Sequence, residues 1–120
     1  MIFDTNVLIY LSKYILKPEK ILTSYASISV ITKIEALGFP FSDAEEHDLL
    51  LDICGELTVI QLTEPIVEKT IEIRQKNKVK LADALIYATA MVENLPLLTN
   101  NIKDFQYLSG KVELINPFDL

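Results

Sequence analysis

The sequence has only one cysteine, Cys54, and therefore cannot form an intramolecular disulfide. A zinc site built from several cysteine thiolates is excluded for the same reason. Glycine and proline are also sparse, with three and five residues in 120, while half of the residues are hydrophobic. This composition is typical of a folded domain and not of a disordered chain. We therefore expect a single domain in a reducing, cytoplasmic setting.

Long hydrophobic runs are missing as well. No stretch of the sequence contains the roughly 20 consecutive apolar residues that a membrane-spanning helix needs. No basic residue precedes the apolar start of the sequence, as one would in a secretory signal peptide. We therefore expect no association with a membrane.

Positive charge is scarce, and it is unevenly distributed. The net charge of −6 argues against a protein that coats nucleic acid without specificity. Residues 34–67 contain no Lys or Arg, whereas basic residues recur between Lys69 and Lys80. Each run has an ordinary interpretation as a solvated helix or turn. The alternative is an acidic pocket that holds metal beside a basic rim that contacts phosphates.

Hydrophobic periodicity predicts strands that alternate with helices along the whole chain. The five predicted strands are residues 1–4, 27–30, 57–62, 97–99 and 112–115. The clearest helix spans Leu81 to Leu95 and ends before Pro96. Its predicted buried positions are Leu81, Leu85, Ala88, Val92 and Leu95. The alternation implies one α/β domain over residues 1–120, with a parallel or mostly parallel sheet covered by helices on both faces.

Sequence signals also mark the ends of several other helices. Ser42 and Glu45 form a capping-box pattern, Thr63 is a candidate N-cap, and Gly38 is a candidate terminator. Ile34 and Ile71 occupy apolar positions at helical spacing, which predicts that both face the core.

Acidic residues occur where an α/β sheet places its ligand sites. Asp4 ends the first strand, Asp83 lies in the first turn of the long helix, and Asp104 follows the fourth strand. Ligands bind beyond the carboxyl ends of strands in such sheets. Taken singly, the three acids are explained as a helix cap, a dipole partner and an Asx-rich turn, and Glu35 as an exposed helix residue.

Taken together, these acids indicate a metal site. Carboxylates that converge at one sheet edge repel one another and raise one another's pKa. A divalent cation removes that cost. Oxygen-rich ligation without cysteine favours Mg²⁺ or Mn²⁺, and a cation held by carboxylates suits phosphate ester chemistry.

Four segments, in this order and spacing, resemble PIN-domain nucleases, and most of all the VapC-type toxins of toxin–antitoxin pairs. They are residues 2–9 (IFDTNVLI), 28–35 (ISVITKIE), 81–90 (LADALIYATA) and 98–105 (LTNNIKDF). The resemblance continues to residues 112–117 and so spans nearly the whole chain. It implies a single PIN-like nuclease domain: a three-layer α/β/α sandwich with a central, mostly parallel five-stranded sheet.

The resemblance also implies which residues form the site. Asp4, Glu35 and Asp83 match three of the family's metal-binding acids. Thr5 and Asn6 match the polar pair beside the first acid.

The fourth metal-site position departs from the family pattern. Thr99 matches the hydroxyl that supports the site after the fourth strand. Many members have an acid two residues later, where this sequence has Asn101. Asp104, in its Asp-Phe pair, is the other candidate for the fourth position.

The activity that the resemblance implies is an endoribonuclease dependent on Mg²⁺ or Mn²⁺. Its targets would be structured RNAs such as transfer or ribosomal RNA, cleaved by in-line attack of water to leave 5′-phosphate and 3′-hydroxyl ends. Because the protein is acidic, we predict that basic side chains around the metal-neutralised pocket contact phosphates. These side chains are Lys76, Lys78, Lys80 and Lys103.

The resemblance further implies a homodimer and a small antitoxin protein. Such an antitoxin lays a helix in an apolar groove and often directs a basic side chain at the acids. Candidates for the groove are Tyr10, Leu11, Tyr14 and Ile15, although at least half of them are expected to lie in the core instead.

Three alternative functions each have a sequence requirement, and the chain lacks the residue required by the first two. A haloacid-dehalogenase-like phosphatase needs a second carboxylate two residues after Asp4, where this chain has Asn6. A receiver-type signalling domain needs an acceptor Asp at the end of the third strand, and residues 61–63 provide none. A PIN-like module that binds a partner without catalysis would have a broken acidic set. Since the acids are present, catalytic competence is favoured.

Overall fold

One parallel β-sheet organises the computed structural model, which describes residues 1–23, 25–40 and 43–120. Within these residues the sheet has five strands in the order β3-β2-β1-β4-β5, and every neighbouring pair is parallel. The strands are β1 (Ile2–Phe3), β2 (Ser27–Ser29), β3 (Thr58–Ile60), β4 (Leu97–Leu98) and β5 (Leu114–Ile115). The predicted five-stranded sheet is confirmed.

Helices connect the strands. Over the described residues they are α1 (Thr5–Ser12), α2 (Pro18–Ile21), α3 (Val30–Leu37), α4 (Ala44–Glu56), α5 (Glu64–Lys76), α6 (Leu81–Glu93) and α7 (Ile102–Phe105). A 3₁₀ turn, Pro117–Asp119, follows β5. Helix α7 lies where the sequence predicted only an Asx-rich turn. None of the described helices is long and apolar enough to cross a membrane.

Two hydrophobic clusters show that the domain has three layers. One cluster joins β1 to α1 and α4, through residues such as Leu8 and Leu50. The other joins β4 to α5, α6 and α7, through residues such as Ile66 and Ile86. The strand order explains this division. The chain moves outward from β1 to β3 and then crosses back to β4, and right-handed crossovers in opposite directions place their helices on opposite faces. The predicted α/β/α sandwich is confirmed.

The middle of helix α6 is buried around its whole circumference and not along one stripe. Every residue from Ala84 to Ala90 is buried, whereas Leu81 and Val92 are 53% and 36% exposed. The predicted buried stripe is therefore wrong at these two positions. The reason is that α6 packs against α5 and also contacts α3 and β2, so its middle has no solvent face.

Two other predicted core positions are also exposed. Ile34 on α3 is 62% exposed and Ile71 on α5 is 53% exposed. Their apolar neighbours at helical spacing, Ile31 and Leu37 on α3 and Val67 on α5, are only half-buried. Helical spacing identifies a face of a helix, but the neighbouring elements decide how wide the buried part of that face is.

The predicted helix ends have three different outcomes. Gly38 is the C-cap of α3, as predicted. Thr63 is the N-cap residue of α5, although its side chain makes no capping hydrogen bond. Ser42 lies outside the described residues. Asp43 is the N-cap of α4, and its carboxylate accepts a hydrogen bond from the Glu45 N–H at 2.9 Å.

Candidate active site

The carboxyl ends of the central strands carry the polar residues of the site. Asp4 directly follows β1, and Thr99 directly follows the adjacent strand β4. On the other side of β1, β2 leads into α3, which carries Glu35. Because parallel strands end at the same edge of a sheet, these side chains are gathered there by the topology.

Asp4 is a buried carboxylate held by two hydrogen bonds. Its backbone is extended, and it caps α1 by accepting a hydrogen bond from the Thr5 N–H at Oδ1, over 2.8 Å. Its other oxygen, Oδ2, accepts a hydrogen bond from the Thr99 hydroxyl at 2.8 Å. The residue is only 5% exposed. Both oxygens are therefore fixed in position, and each keeps an unused lone pair for a further ligand.

The Thr99 hydroxyl connects the first acid to the turn after β4. It donates to Asp4 and accepts a hydrogen bond from the Asn101 N–H at 3.0 Å. Thr99 is completely buried. The hydroxyl predicted to support the site thus orients Asp4 and, at the same time, the start of α7.

Thr5 connects Glu35 to the first acid. The Thr5 hydroxyl donates to Glu35 Oε1 at 2.8 Å and lies 3.5 Å from the Thr32 hydroxyl. Glu35 itself is exposed, as its ordinary interpretation predicted. Its carboxylate is nevertheless held beside the start of α1 and not left to move freely in solvent.

All four predicted acids line one pocket of about 230 Å³. The lining residues are Asp4, Thr5, Asn6, Glu35, Lys80, Ala82, Asp83, Asn101 and Asp104. Both candidates for the fourth position are therefore present. Asn101 precedes α7 and Asp104 lies within it, one turn further on. We call this the acid pocket.

Burial and like charge raise the pKa of two of these acids. For Asp4, burial is the largest cause; hydrogen bonds from Thr99 and Thr5 oppose it, and the charges of Glu35 and Asp104 add to it. Burial also raises the pKa of Asp83, with the charges of Asp4 and Asp104 next in size. The acid pocket is therefore an unfavourable place for uncompensated negative charge.

The donor atoms of the acid pocket fit a divalent cation. Its lining offers carboxylate, amide and hydroxyl oxygens and no thiolate or imidazole, a set that suits Mg²⁺ or Mn²⁺. In the part of the chain that the structure describes, however, no three acidic, His or Cys side chains are already arranged as a metal cluster. The acids share a pocket without closing around one point, which is consistent with their mutual repulsion.

The four predicted phosphate-binding lysines are not equivalent. Lys80 lines the acid pocket. Lys76 is paired with Glu72 at 3.3 Å, and Lys78 lines a separate cavity. Lys103 is exposed on α7. Of the four, only Lys80 is grouped with the acids.

The structure adds a residue that the sequence did not single out. Asn100 Nδ2 donates to the Tyr10 hydroxyl at 3.3 Å, and this bond ties the turn after β4 to α1. Its Oδ1 is buried, with no hydrogen-bond partner among the described atoms. Only the Asx-rich composition of the turn hinted at such a role.

The four predicted groove residues differ in burial. Leu11 lies in the core, as expected for part of this set, and is therefore not a groove residue. Tyr10 is half-buried, and its ring contacts that of Phe118 with centroids 5.6 Å apart. Tyr14 and Ile15, just after α1, are 72% and 53% exposed.

Comparison with known proteins identifies the family. A model of the PIN domain matches residues 1–111, and the chain belongs to the PIN domain family, whose members are of nuclease type. The chain is 30% identical to a chain of a toxin–antitoxin complex from Klebsiella pneumoniae, with a TM-score of 0.75 and coverage of 97% of this chain and 96% of that one. No protein of curated function matches the sequence significantly.

Two further solved structures share the fold. One is VapBC2 from Rickettsia felis bound to a DNA fragment from its promoter, with 24% identity, a TM-score of 0.78 and coverage of 97% of this chain and 98% of that one. The other is DNA-bound VapBC from Salmonella typhimurium, with 21% identity, a TM-score of 0.81 and coverage of 97% and 96%. The predicted resemblance to VapC-type PIN proteins is confirmed.

Proposed function

We propose that this chain is an endoribonuclease that depends on Mg²⁺ or Mn²⁺ and acts in the cytoplasm as the toxin of a toxin–antitoxin pair. The observation that carries the proposal is the convergence of four carboxylates on one pocket at the sheet edge of a PIN domain. The toxin role is supported by the 30% identity to a chain of the Klebsiella pneumoniae toxin–antitoxin complex.

The residues of the acid pocket have different proposed roles. Asp4 and Asp83, whose pKa values are raised by burial and like charge, would hold the cation. A bound divalent cation supplies an activated water and neutralises charge on the phosphate. Thr99 keeps Asp4 in place through its hydroxyl, and Lys80 adds positive charge to the pocket wall.

Glu35 is suited to receive a proton at the rim of the pocket. Its Oε1 accepts a hydrogen bond from the Thr5 hydroxyl. This bond fixes the carboxylate and leaves Oε2 as an acceptor. A general base has to lie within hydrogen-bond distance of the proton that it removes. Since Glu35 is exposed at the pocket, water and substrate can both approach it.

The proposal is tested by cleavage of total cellular RNA in Mg²⁺ or Mn²⁺, with cellular DNA as a parallel substrate. Asp4→Asn and Asp83→Asn should each lower the rate by about 100-fold or more, because each removes a charge that holds the cation. A matched control is Asp52→Asn, an exposed acid on α4 that should cleave like wild type. We expect discrete RNA fragments with 5′-phosphate ends that disappear with a chelator.

A second candidate is the PIN-like module that binds a partner without catalysis. The observation in its favour is that the acids of the described chain are not closed into a metal cluster. If folded protein, verified by circular dichroism, cleaves no RNA with either cation, this second candidate replaces the first.

The same variants test the toxin role in cells. Expression of the wild-type chain should arrest growth, while Asp83→Asn should not, and co-expression of a small partner protein that binds the chain should restore growth. Arrest by Asp83→Asn would show that toxicity does not depend on the acid pocket. In a separate experiment, light scattering of the purified chain measures whether it is the expected homodimer.

A further inference from the structure

A cavity lies between the C-terminal part of α5 and the start of α6. Its volume is about 520 Å³, compared with about 230 Å³ for the acid pocket. We call it the α5–α6 cavity. Its lining residues are Thr70, Ile71, Arg74, Gln75, Asn77, Lys78, Val79 and Leu81. None of the roles assigned above to the acid pocket explains this set of side chains.

The lining combines apolar and basic surface. Ile71 and Leu81 are each 53% exposed, and Val79 beside them is half-buried. Apolar side chains grouped at a concave surface are typical of binding sites. Arg74 and Lys78 are exposed at the same cavity, and its described lining contains no acidic residue.

The two cations of this cavity are available to an anionic ligand. Lys69 and Lys76, on the same helix as Arg74, are both paired with Glu72, at 3.1 and 3.3 Å. Within the described ranges, Arg74 and Lys78 form no ion pair. A locally positive cavity in a chain of net charge −6 is complementary to a polyanion.

The α5–α6 cavity and the acid pocket lie on either side of one short segment. Lys78, Val79 and Leu81 line the cavity, whereas Lys80, Ala82 and Asp83 line the acid pocket. Even a fully extended backbone from residue 78 to residue 83 spans at most about 17 Å. The cavity is therefore close enough to the acids for one RNA strand to reach both sites within a few nucleotides.

Tyr107 provides an aromatic surface near the cavity. Its hydroxyl donates to the Lys78 carbonyl at 3.2 Å, which anchors the ring beside a residue of the cavity wall. The side chain remains 50% exposed. An anchored, exposed aromatic ring is a surface on which an unpaired base can stack at low entropic cost.

We infer that the α5–α6 cavity binds one unpaired nucleotide of the RNA next to the cleavage position. The inference rests on the proposed function for its substrate. Arg74 and Lys78 contact the phosphate, for which a guanidinium is well suited because it donates two parallel hydrogen bonds. The base or sugar packs on Ile71 and Leu81. A nucleotide within a duplex cannot enter the cavity, since its base is paired and stacked.

The test measures fluorescence anisotropy of a short, fluorescein-labelled oligouridylate, in chelator so that no cleavage occurs. Arg74→Gln should weaken binding about tenfold and lower the slope of affinity against salt by about one. Leu81→Ser should weaken binding several-fold without changing that slope, because it removes apolar contact only. The affinity for a duplex RNA of equal length should not change in Leu81→Ser.

Each variant has a matched control that leaves the cavity intact. Lys111→Gln removes an exposed cation from a different surface, and Leu51→Ser removes a leucine of α4 that is 46% exposed. Both should bind the oligouridylate like wild type. If Arg74→Gln behaves like Lys111→Gln in affinity and salt slope, the inference is wrong. The inference is also wrong if Leu81→Ser leaves the affinity for the oligouridylate unchanged and halves the mass of the protein measured by light scattering. That result would mean that the cavity is an interface between two copies of the chain.

The outcomes also separate this inference from the proposed function. Cleavage lost in Asp4→Asn, together with unchanged RNA binding in Arg74→Gln, refutes the cavity and leaves the nuclease intact. Binding lost in Arg74→Gln and Leu81→Ser, by a protein that cleaves nothing, supports the cavity and refutes the catalysis.

Discussion

At the scale of single residues, Asp4 shows how structural and site roles coincide. The sequence offered two explanations, a helix cap and a site acid, and the same carboxylate caps α1 and lines the acid pocket. That Asp4, Asp83 and Asp104 share a sheet edge was predictable, because parallel strands end together. The bond from Thr99 to Asp4 joins residues 95 apart in sequence, so periodicity alone could not predict it.

We expect Thr99→Val to destabilise the protein by about 1–3 kcal/mol, the cost of leaving buried polar groups without partners. Valine keeps the shape, but Asp4 Oδ2 loses its donor and the Asn101 N–H loses its acceptor. Thr99→Ser should restore most of the stability. Urea unfolding monitored by circular dichroism measures both.

The control for this prediction is Thr89→Val on α6. Thr89 is also buried, but its hydroxyl donates only to the Leu85 carbonyl within the same helix. Its loss should cost less than about 1 kcal/mol. Equal losses at Thr99 and Thr89 would mean that the hydroxyl of Thr99 has no special part in holding the site.

At the scale of elements, the order and type of the strands and long helices followed from sequence, but their environments did not. The helix predicted from Leu81 to Leu95 ends at Glu93, because Asn94 adopts a left-handed conformation with φ 55° that stops it before Pro96. Exposure of Ile34 and Ile71 could not be predicted either. It depends on which elements pack beside α3 and α5, and one-dimensional spacing does not contain that information.

Two glycines in different elements should respond to alanine in opposite directions. Gly55 is in α4, and a Cβ there would meet nothing within 4 Å. Gly55→Ala should stabilise the protein by about 0.5 kcal/mol, because alanine loses less backbone entropy in a helix. At Gly110, a Cβ would lie 2.5 Å from Met91 Sδ and 2.7 Å from Tyr87 Cε1.

Gly110→Ala should therefore destabilise the protein by about 1–3 kcal/mol. Met91 can move, but Tyr87 is buried, stacks on Phe105 with ring centroids 6.1 Å apart, and donates its hydroxyl to the Leu108 carbonyl. Guanidinium unfolding of both variants measures the difference. A shift of both variants in the same direction would contradict the prediction.

At the scale of the whole molecule, the segregation of charge along the sequence becomes segregation in space. The acidic residues between Asp43 and Glu56 lie on or next to α4, which packs on one face of the sheet. The basic residues between Lys69 and Lys80 belong to α5 and the start of α6, whose core lies on the other face. A polyanion is therefore expected to approach the protein from the side of α5 and α6. A cation bound in the acid pocket would neutralise the negative charge there.

The acid pocket should also make the stability of the metal-free protein depend on pH. Burial and like charge raise the pKa of Asp4 and Asp83 in the folded state, so the folded protein binds more protons than the unfolded chain. Stability must then fall as the pH rises from the ordinary aspartate pKa through the raised values. Above that window the whole penalty is present, and binding of a divalent cation should remove much of it.

Thermal melts of wild type and Asp4→Asn, with chelator or Mn²⁺, test this last prediction. The variant should show a shallower decline of Tm with pH in chelator, because one of the two titrating carboxyls is gone. Mn²⁺ should raise the Tm of wild type and have little effect on the variant. Asp52→Asn should follow wild type in both respects, since this acid is exposed and lies outside the pocket. An equal response to Mn²⁺ in wild type and Asp4→Asn would place the cation elsewhere, because a site that includes Asp4 cannot lose this carboxylate without losing affinity.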